Sequence, residues 1–433
     1  MSNILIVEDS GFFGLMICNK LKADTAFKTT WVRNMADAVA AVDDPSNRFL
    51  AAILDFNLPD APYGEVIDAV TARNIPVIVF TSDLSEEVRE LVWSKNVADY
   101  ALKDDSQSLE YIVNMLKRIE KNPTIKVMVV EDSTFFRKIL TDLLKIHRYQ
   151  VLNARNGMEA LQVLDQHPDI KLVITDYSMP EMDGFTLTTK IRERYTKNEL
   201  AVIGISSEGR NLLAARFIKN GANDFLIKQS FLTEEFYCRI TQNIESLEHI
   251  RMVRDAAVKD YLTGLNNRRY FFDAGRKLFA SAVREHLTLT CAMLDIDHFK
   301  KVNDTHGHEI GDIALKHLSD ILKTRARESD IVARLGGEEF GILAVNMSSD
   351  SVRSVFESLR RNIAESVIDI GNGCTLRLTV SIGVFTALAG SLDEMVNEAD
   401  RLLYEAKYTG RNKVVVRGPT HDYERQRAEN TCR

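Results

Sequence analysis

The sequence predicts an α/β protein in which one type of domain occurs twice and is followed by a third, different domain. Two observations lead to this prediction. A set of polar landmarks recurs at a nearly constant separation, and short apolar runs alternate with helical patterns inside each copy. Such alternation is typical of βα units on a parallel sheet. Beyond about residue 260 the pattern changes and has no counterpart in the repeats.

Four pairs of landmarks establish the repeat. The second member of each pair follows the first by 121 to 125 residues, and the pairs are Asp9 and Asp132, Asp55 and Asp176, Thr81 and Ser206, and Lys103 and Lys228. Offsets this constant indicate a tandem duplication of one domain. The predicted copies are residues 1–121 and 124–245, joined by the linker KNPT at 121–124.

The landmarks stand where apolar runs end, and in a parallel sheet ligands bind outside the carboxyl ends of the strands. Carboxylates held close together need a compensating cation, and oxygen ligands favour a hard ion such as Mg²⁺. A neighbouring lysine and hydroxyl complete a site for a phosphoryl group on a nucleophilic aspartate. The predicted metal ligands are Glu8, Asp9, Asp55, Glu131, Asp132 and Asp176; the phosphoacceptors are Asp55 and Asp176; the switch residues are Thr81, Lys103, Ser206 and Lys228. A helix-capping role would explain one isolated aspartate. It would not explain why the acidic pair, the aspartate, the hydroxyl and the lysine occur in the same order in both copies.

One long helix is predicted to lead out of the second copy, over residues 233–260. Apolar residues recur there every three or four positions, at Ile244, Leu247, Ile250, Val253 and Ala257. The stripe fits a helix packed on its own domain and fits equally a dimerising signalling helix.

The third domain, residues 255–433, carries three groups that suit nucleotide chemistry. The stretch RLGGEEFGIL predicts a β-hairpin with Gly336 and Gly337 at its turn, where the backbone can approach a bulky ligand. A second apolar strand ends at Asp295, which beside Glu338 would form a metal site for a triphosphate. Lys407 and Arg411 are four residues apart, so on a helical end they would face the same way and clamp phosphates. Taken singly, these groups are as well explained by a charged turn or a solvated face; together they are more specific.

The first two domains resemble the receiver domain of bacterial response regulators. This resemblance implies a flavodoxin-like (βα)5 fold and phosphorylation by a sensor histidine kinase or a phosphotransfer protein. Tyr100 and Phe225 match the family's switch aromatic residue. Asp104 and Gln229 stand where the family usually has proline, and the loop after Asp55 is one residue longer than its counterpart in the second copy.

Six motifs of the third domain resemble the GGDEF domain, a nucleotidyl cyclase fold of the palm-like α+β type. They are DYLTGLNNRRYF, DIDHFKKVND, HGHEIGD, RLGGEEF, SIGV and AKYTGRNK. The order of the three domains resembles that of PleD-type response regulators. The resemblance implies that Asp295, Glu338 and the Ile296 carbonyl hold Mg²⁺ (or Mn²⁺) and that Glu339 assists catalysis. It further implies guanine contacts by Asn303 and Asp312, a phosphate region lined by Phe299, Lys300, Lys407 and Arg411, and an inhibitory product site at Arg327 and Asp330. For the last pair, an ordinary surface ion pair is the alternative.

The function implied is that of a phosphorylation-regulated diguanylate cyclase, which converts two GTP into cyclic di-GMP and works as a homodimer. Two alternatives stay open. The domain could be a catalytically silent receptor for GTP or cyclic di-GMP, or the chain could be a receiver-based phosphorelay scaffold.

Composition limits the remaining classes. The net charge of −7 disfavours nucleic acid as a partner, and no apolar run approaches the ~18 residues of a membrane span. The five cysteines form no C-x-x-C pair, which suits a reducing compartment. A cytoplasmic protein without a membrane partner is therefore expected.

Overall fold

The computed structural model describes residues 2–83, 85–104, 106–207, 211–371 and 374–418. The chain divides into two compact units, Met1–Arg251 and Met252–Arg433. Residues 419–433, with which the predicted third domain ends, lie outside the described residues.

The first unit contains two parallel sheets, and we call each sheet with its helices a module. The first module consists of β1 (Asn3–Val7), α1 (Gly11–Asp24), β2 (Lys28–Val32), α2 (Met35–Asp43), β3 (Phe49–Asp55), α3 (Glu65–Thr71), β4 (Val77–Thr81), α4 (Glu86–Ser94), β5 (Asp99–Leu102) and α5 (Ser106–Lys121). Its strands are parallel, in the order β2-β1-β3-β4-β5. This is the flavodoxin-like order expected from the sequence.

The three central strands of the first module, β1, β3 and β4, are mostly apolar because helices cover both faces of the sheet. In β1, Ile4 and Ile6 belong to the core formed with α1 and α5. Leu5 and Val7 belong to the core on the opposite face, formed with α2 and α3. Successive residues of a strand alternate between the two faces, so the continuous run NILIV supplies both cores.

The second module repeats this architecture. It consists of β6 (Lys126–Val130), α6 (Thr134–Ile146), β7 (Gln150–Ala154), α7 (Gly157–Gln166), β8 (Leu172–Asp176), α8 (Gly184–Arg192), β9 (Ala201–Ser206), α9 (Asn211–Lys219), β10 (Asp224–Ile227) and α10 (Thr233–Val258). The order β7-β6-β8-β9-β10 is again parallel and flavodoxin-like.

The predicted linker is a structured part of the fold. A 3₁₀ helix, Asn122–Thr124, directly follows α5. The Asn122 side chain is fully buried, and its Nδ2 donates a hydrogen bond of 2.8 Å to the carbonyl of His147. The imidazole of His147 contacts the first module in turn, with Nε2 2.8 Å from the carbonyl oxygen of Ala98. The two modules therefore share buried polar contacts within one compact unit.

The apolar stripe of α10 is buried in the first half of the helix and exposed in the second, so packing on its own module accounts for the first half only. Ile244 and Leu247 are buried in the core of the second module. Farther along, Ile250 is 38% exposed and Val253 71% exposed. The boundary between the two compact units falls within this second half.

The second unit is an α+β domain around one mixed sheet. Its elements are α11 (Arg268–Glu285), β11 (Leu289–Ile296), α12 (Phe299–His306), α13 (His308–Arg325), β12 (Ile331–Gly336), β13 (Glu339–Val345), α14 (Ser349–Glu365), β14 (Ile368–Asp369), β15 (Thr375–Leu376), β16 (Val380–Phe385), α15 (Leu392–Tyr408) and β17 (Val414–Arg417). The main sheet has the order β12-β13-β11-β16-β17. The central strand β11 is buried along its whole length and pairs antiparallel with both neighbours.

No helix in the described part of the chain combines the length and the apolar character that crossing a membrane requires.

Candidate functional site

The end of β11 and the glycine hairpin lie side by side in the second unit. The antiparallel register pairs Asp295 with Glu339, and the amide of Ile296 donates to the carbonyl oxygen of Glu338 at 3.4 Å. The strand that ends in an aspartate and the turn that carries two glutamates are therefore adjacent, as the sequence predicts.

The two glycines of the hairpin leave open space beside the backbone. Gly336 has a φ of 150° and Gly337 a φ of 51°, both in the range that favours glycine. No heavy atom lies within 4 Å of the position that a Cβ would occupy at either residue. A bulky ligand could approach the main chain of the hairpin closely.

Asp295 is a buried carboxylate with one ammonium partner. Its side chain is only 4% exposed, and Lys407 Nζ lies 2.7 Å from its Oδ2. Burial raises the pKa of Asp295 to about 6, Lys407 opposes this shift, and the charges of Glu338 and Glu339 add to it. Carboxylates whose charges act on one another in a buried site fit a divalent cation with oxygen ligands, Mg²⁺ or Mn²⁺.

Arg411 does not share a helical end with Lys407, so the prediction that both residues lie on one helix was wrong for Arg411. Lys407 belongs to α15, but that helix ends at Tyr408. Gly410 and Arg411 then have φ angles of 116° and 61°, so the chain leaves the helix before Arg411. Residues four apart face the same way only while the helix continues; here Arg411 stands on a loop.

Four of the residues predicted to contact the nucleotide lie on α12 and α13. Phe299 and Lys300 begin α12, whose first amides lack intrahelical acceptors. The Phe299 ring is buried in the core, so its amide, not its ring, is available to a phosphate. Asn303 lies later on α12 and Asp312, exposed, on α13.

Asn303 carries an unsatisfied group suited to a ligand. Its Oδ1 is buried and finds no hydrogen-bond partner among the described residues. A Cβ at Gly311 would lie 1.9 Å from that oxygen, so the amide packs directly on the glycine. Buried amide oxygens are normally hydrogen-bonded, which fits a partner supplied by a bound base.

Two further residues support the hairpin, and the residue patterns did not single them out. Arg334 donates from Nε and Nη2 to the carbonyl of Gly337, at 2.9 and 2.8 Å. Its Nη1 lies 3.1 Å from Oδ1 of Asp260, which also accepts from Thr263. The motif DYLTGL, in which Asp260 and Thr263 stand, was recognised only as part of the family pattern.

The RESD segment does not form the surface ion pair considered as an alternative. Oδ2 of Asp330 accepts from the backbone amide of Arg327 at 3.0 Å, and Arg327 itself is exposed. Asp330 also lines a pocket of about 290 Å³ together with Val332, Ile342 and Phe356.

The first module has the predicted acidic pocket at the carboxyl ends of its strands. Carboxylate oxygens of Glu8, Asp9 and Asp55 lie within 4.8 Å of one another. Lys103 Nζ lies 2.8 Å from Glu8 and 2.6 Å from Asp55, and Thr81 is buried on the neighbouring strand. Burial raises the pKa of Glu8, and Lys103 opposes the shift.

The second module has the same arrangement. Glu131, Asp132 and Asp176 form an acidic cluster within 4.8 Å, and Lys228 Nζ lies 2.7 Å from Glu131 and 3.0 Å from Asp176. Ser206 is buried at the end of β9. Burial raises the pKa of Asp176, and Lys228 lowers it in part.

The longer loop of the first module is tied down by one aspartate. Leu58 and Ala61 exchange two backbone hydrogen bonds of 3.1 Å. Asp60 accepts from the amides of Met35 and Ala36, which begin α2. With this longer loop, the carboxylate oxygens of Glu8, Asp9 and Asp55 still lie within 4.8 Å of one another.

The switch aromatics differ in their surroundings. The hydroxyl of Tyr100 donates to Glu234 at the start of α10, at 3.0 Å, and Arg89 pairs with the same carboxylate. Phe225 packs on Phe217 in its own module, with ring centroids 5.4 Å apart.

Comparisons with known proteins match two of these regions. Residues 257–413 match the family model "Diguanylate cyclase, GGDEF domain", and residues 127–236 match "Response regulator receiver domain". The match to the receiver family thus lies within the second module and ends near the start of α10.

Two relatives align with large parts of the chain. The response regulator PleD of Caulobacter vibrioides is 29% identical over 286 residues, 61% of this chain and 63% of PleD. Diguanylate cyclase A of Treponema denticola is 35% identical over 194 residues, 41% of this chain and 50% of that protein. The chain therefore spans less than two thirds of the length of either relative.

A crystal structure of a two-component system response regulator/GGDEF domain protein is 40% identical to the chain. It aligns with a TM-score of 0.51 over 57% of this chain and 100% of the other. The chain therefore belongs to the family of GGDEF-domain proteins that also carry a receiver domain.

Proposed function

We propose that the protein is a diguanylate cyclase, which condenses two GTP into cyclic di-GMP and two pyrophosphates. The observation that carries this proposal is the pairing of Asp295 with Glu339 beside the open glycine hairpin. The family match over residues 257–413 and the relative named diguanylate cyclase A support the same activity.

Each part of the site has a role in this reaction. Asn303 and Asp312 bind the guanine edge, since an amide and a carboxylate match its acceptor and donor groups. Lys407 and Arg411, with the first amides of α12, bind the phosphates. Asp295, Glu338 and the Ile296 carbonyl would hold a Mg²⁺ or Mn²⁺ ion, which would supply positive charge beside the triphosphate.

The chemistry needs two copies of the domain. The 3′-oxygen of each GTP attacks the α-phosphorus of the other; a P–O bond forms, the α–β bridging bond breaks and pyrophosphate leaves. Glu339 assists removal of the 3′-hydroxyl proton. One domain offers residues for one GTP and the product is two-fold symmetric, so the active form is an isologous homodimer.

The test is turnover by the purified full chain in GTP and MgCl₂, with nucleotides separated by anion-exchange chromatography. We expect cyclic di-GMP and pyrophosphate in a ratio of one to two, and a loss of about 100-fold or more in Glu338→Gln. Glu365→Gln, at the exposed end of α14, is the matched control. Binding of GTP without any product would identify a silent receptor and overturn the proposal.

Phosphorylation of both modules is proposed to regulate this activity, with residues 1–121 as a first receiver domain and 124–245 as a second. The first module has the same sheet order, acidic cluster and lysine–aspartate pair as the second. The residues of the pockets suit a hard cation and a phosphoryl group from a histidine kinase or phosphotransfer protein.

A route from the first module to α10 supports this regulation. Tyr100 and Arg89 of the first module both bind Glu234 of α10. A phosphoryl group on Asp55 that attracts Thr81 would change the space available to Tyr100 and so its bond to Glu234. In addition, we propose that the product, cyclic di-GMP, inhibits the reaction by binding at Arg327 and Asp330.

A further inference from the structure

The loop that carries Arg411 has an unfavourable backbone conformation. Between α15 and β17, Gly410, Arg411 and Asn412 have φ angles of 116°, 61° and 46°. Residues other than glycine adopt this region at a cost and keep it only where their surroundings impose it. Something must therefore hold Arg411 and Asn412 in place.

Asp297 holds the backbone at Asn412, while at the helix end the amide of Arg411 donates to the carbonyl of Ala406 at 3.0 Å. The amide of Asn412 donates to Oδ2 of Asp297 at 2.9 Å, across 115 residues of sequence. A second tether acts on the side chain, since Arg360 Nη1 donates to Asn412 Oδ1 at 2.7 Å.

Two hydroxyl groups near the start of β16 donate the remaining hydrogen bonds to the Asp297 carboxylate. Thr379 donates to Oδ2 at 2.8 Å and Ser381 to Oδ1 at 2.6 Å, and the side chain is only 6% exposed. Three hydrogen bonds to a buried carboxylate leave little capacity for a metal ion. The second aspartate of the DID stretch thus has a different task from Asp295.

We propose that Asp297 is a positioning residue, which fixes the loop 409–413 so that Arg411 meets the terminal phosphates of GTP. Asp297 stands two residues after Asp295 on the same strand end. One short segment therefore sets both the metal-binding carboxylate and the cationic loop. The inference rests on the proposed function, because Arg411 is assigned there to the phosphates.

A double-mutant cycle in the full chain tests the inference. Asp297→Ala is expected to raise KM for GTP about tenfold or more, the range for a hydrogen bond to a charged group, with a smaller change in kcat. In an Arg411→Ala background the same substitution should change KM by less than about twofold, because the residue acts through Arg411. An equal effect in both backgrounds would show a merely structural role and overturn the inference.

Two further variants sharpen the result. Asp297→Asn keeps one oxygen for the Asn412 amide and offers its NH₂ to Ser381, so KM should stay within about threefold of wild type. Asp393→Ala removes an exposed carboxylate that pairs with Arg276 on the surface, and no change in KM is expected. If Asp297→Ala does not fold, Asp297→Ser takes its place, since a serine cannot reach both Ser381 and Asn412.

The outcomes separate this inference from the proposed function. If the wild-type chain binds GTP but makes no cyclic di-GMP, only the proposed cyclase activity is overturned. The double-mutant cycle is then measured with the dissociation constant for GTP in place of KM. A chain that neither binds nor converts GTP overturns both.

Discussion

The ammonium of Lys407 lies 2.7 Å from Oδ2 of Asp295 and is the charge partner of that buried carboxylate. The same lysine is proposed to bind phosphates and the same aspartate to bind a divalent ion. The two roles are compatible if nucleotide and metal ion arrive together, because each then supplies one member of the pair with a new partner.

Lys407→Met is expected to lower kcat/KM at least tenfold, through the lost charged hydrogen bond to phosphate. Without nucleotide, the same substitution should strengthen Mn²⁺ binding, because it removes a positive charge beside a metal-binding carboxylate. Electron paramagnetic resonance measures free Mn²⁺ directly. Lys316→Met, an exposed lysine of α13, is the control, and weaker Mn²⁺ binding in Lys407→Met would contradict the pairing.

Asp55→Asn and Asp176→Asn should each remove part of the covalent phosphate transferred from radiolabelled acetyl phosphate, and the double variant should remove all of it. The physical reason is that each carboxylate is the proposed nucleophile of its pocket, where it pairs with Lys103 or Lys228. Asp60→Asn, in the loop beside the first pocket, keeps its label. Full labelling of the double variant would place the phosphoacceptors elsewhere.

Glu234→Gln is expected to weaken the response of the enzyme to a phosphoryl group in the first module. It loses the charge that binds Arg89 and weakens the acceptor for Tyr100. The measurement is turnover with and without beryllofluoride in an Asp176→Asn background, where only the first pocket responds. Its neighbour Glu235→Gln serves as control, and an undiminished response in Glu234→Gln would exclude this route.

His147 should make the protein less stable in mild acid. The imidazole is fully buried, and burial lowers its pKa to about 4. In the unfolded chain the pKa of His147 is near 6.5, so below that pH the unfolded chain takes up a proton that the folded chain excludes. The free energy of unfolding is therefore highest above about pH 6.5 and falls towards pH 4. The loss is on the order of 3 kcal/mol at most.

Thermal melts of the full chain between pH 7 and 4.5 measure this effect. His147→Gln keeps a donor for the Ala98 carbonyl and should flatten the fall in Tm. His249→Gln, an exposed histidine of α10, should leave it as in wild type. Equal slopes in both variants would assign the acid sensitivity to other groups.

Arg327→Ala is expected to relieve product inhibition without lowering kcat. Arg327 is exposed, and its guanidinium can bind a phosphate or guanine of the product. The inhibition constant for cyclic di-GMP should rise at least tenfold. Arg401→Ala, whose arginine pairs with Glu398 on α15, is the control; unchanged inhibition in Arg327→Ala would place the inhibitory site elsewhere.

The pockets of the two modules could be predicted from the sequence because repetition and strand ends determine them. Asp55 and Lys103 are 48 residues apart, yet both end apolar strands, and parallel strands bring their carboxyl ends to one edge. The second unit follows a different rule: β11 and β13 are antiparallel, so the carboxyl end of β11 meets the amino end of β13, and Asp295 pairs with Glu339.

Other features depended on backbone conformation or on contacts distant in sequence. Arg411 was misplaced because its helix ends three residues earlier, and nothing in YTGRN reveals that an arginine adopts a positive φ. Asp297 and Asp260 bind partners 115 and 74 residues away, which no local spacing reveals. The burial of Asn122 follows from packing between the modules, whereas its neighbours KNPT indicate only a turn.

The open space around Gly337 has a consequence for handedness. Its φ of 51°, with no atom within 4 Å of the position of a Cβ, means that backbone chirality, not crowding, disfavours L residues there. D-Alanine, introduced by chemical ligation, prefers such a φ and should preserve the turn, whereas L-alanine would fit the space but adopt this φ at a cost. The chain with D-alanine should therefore melt at a higher temperature than the chain with L-alanine.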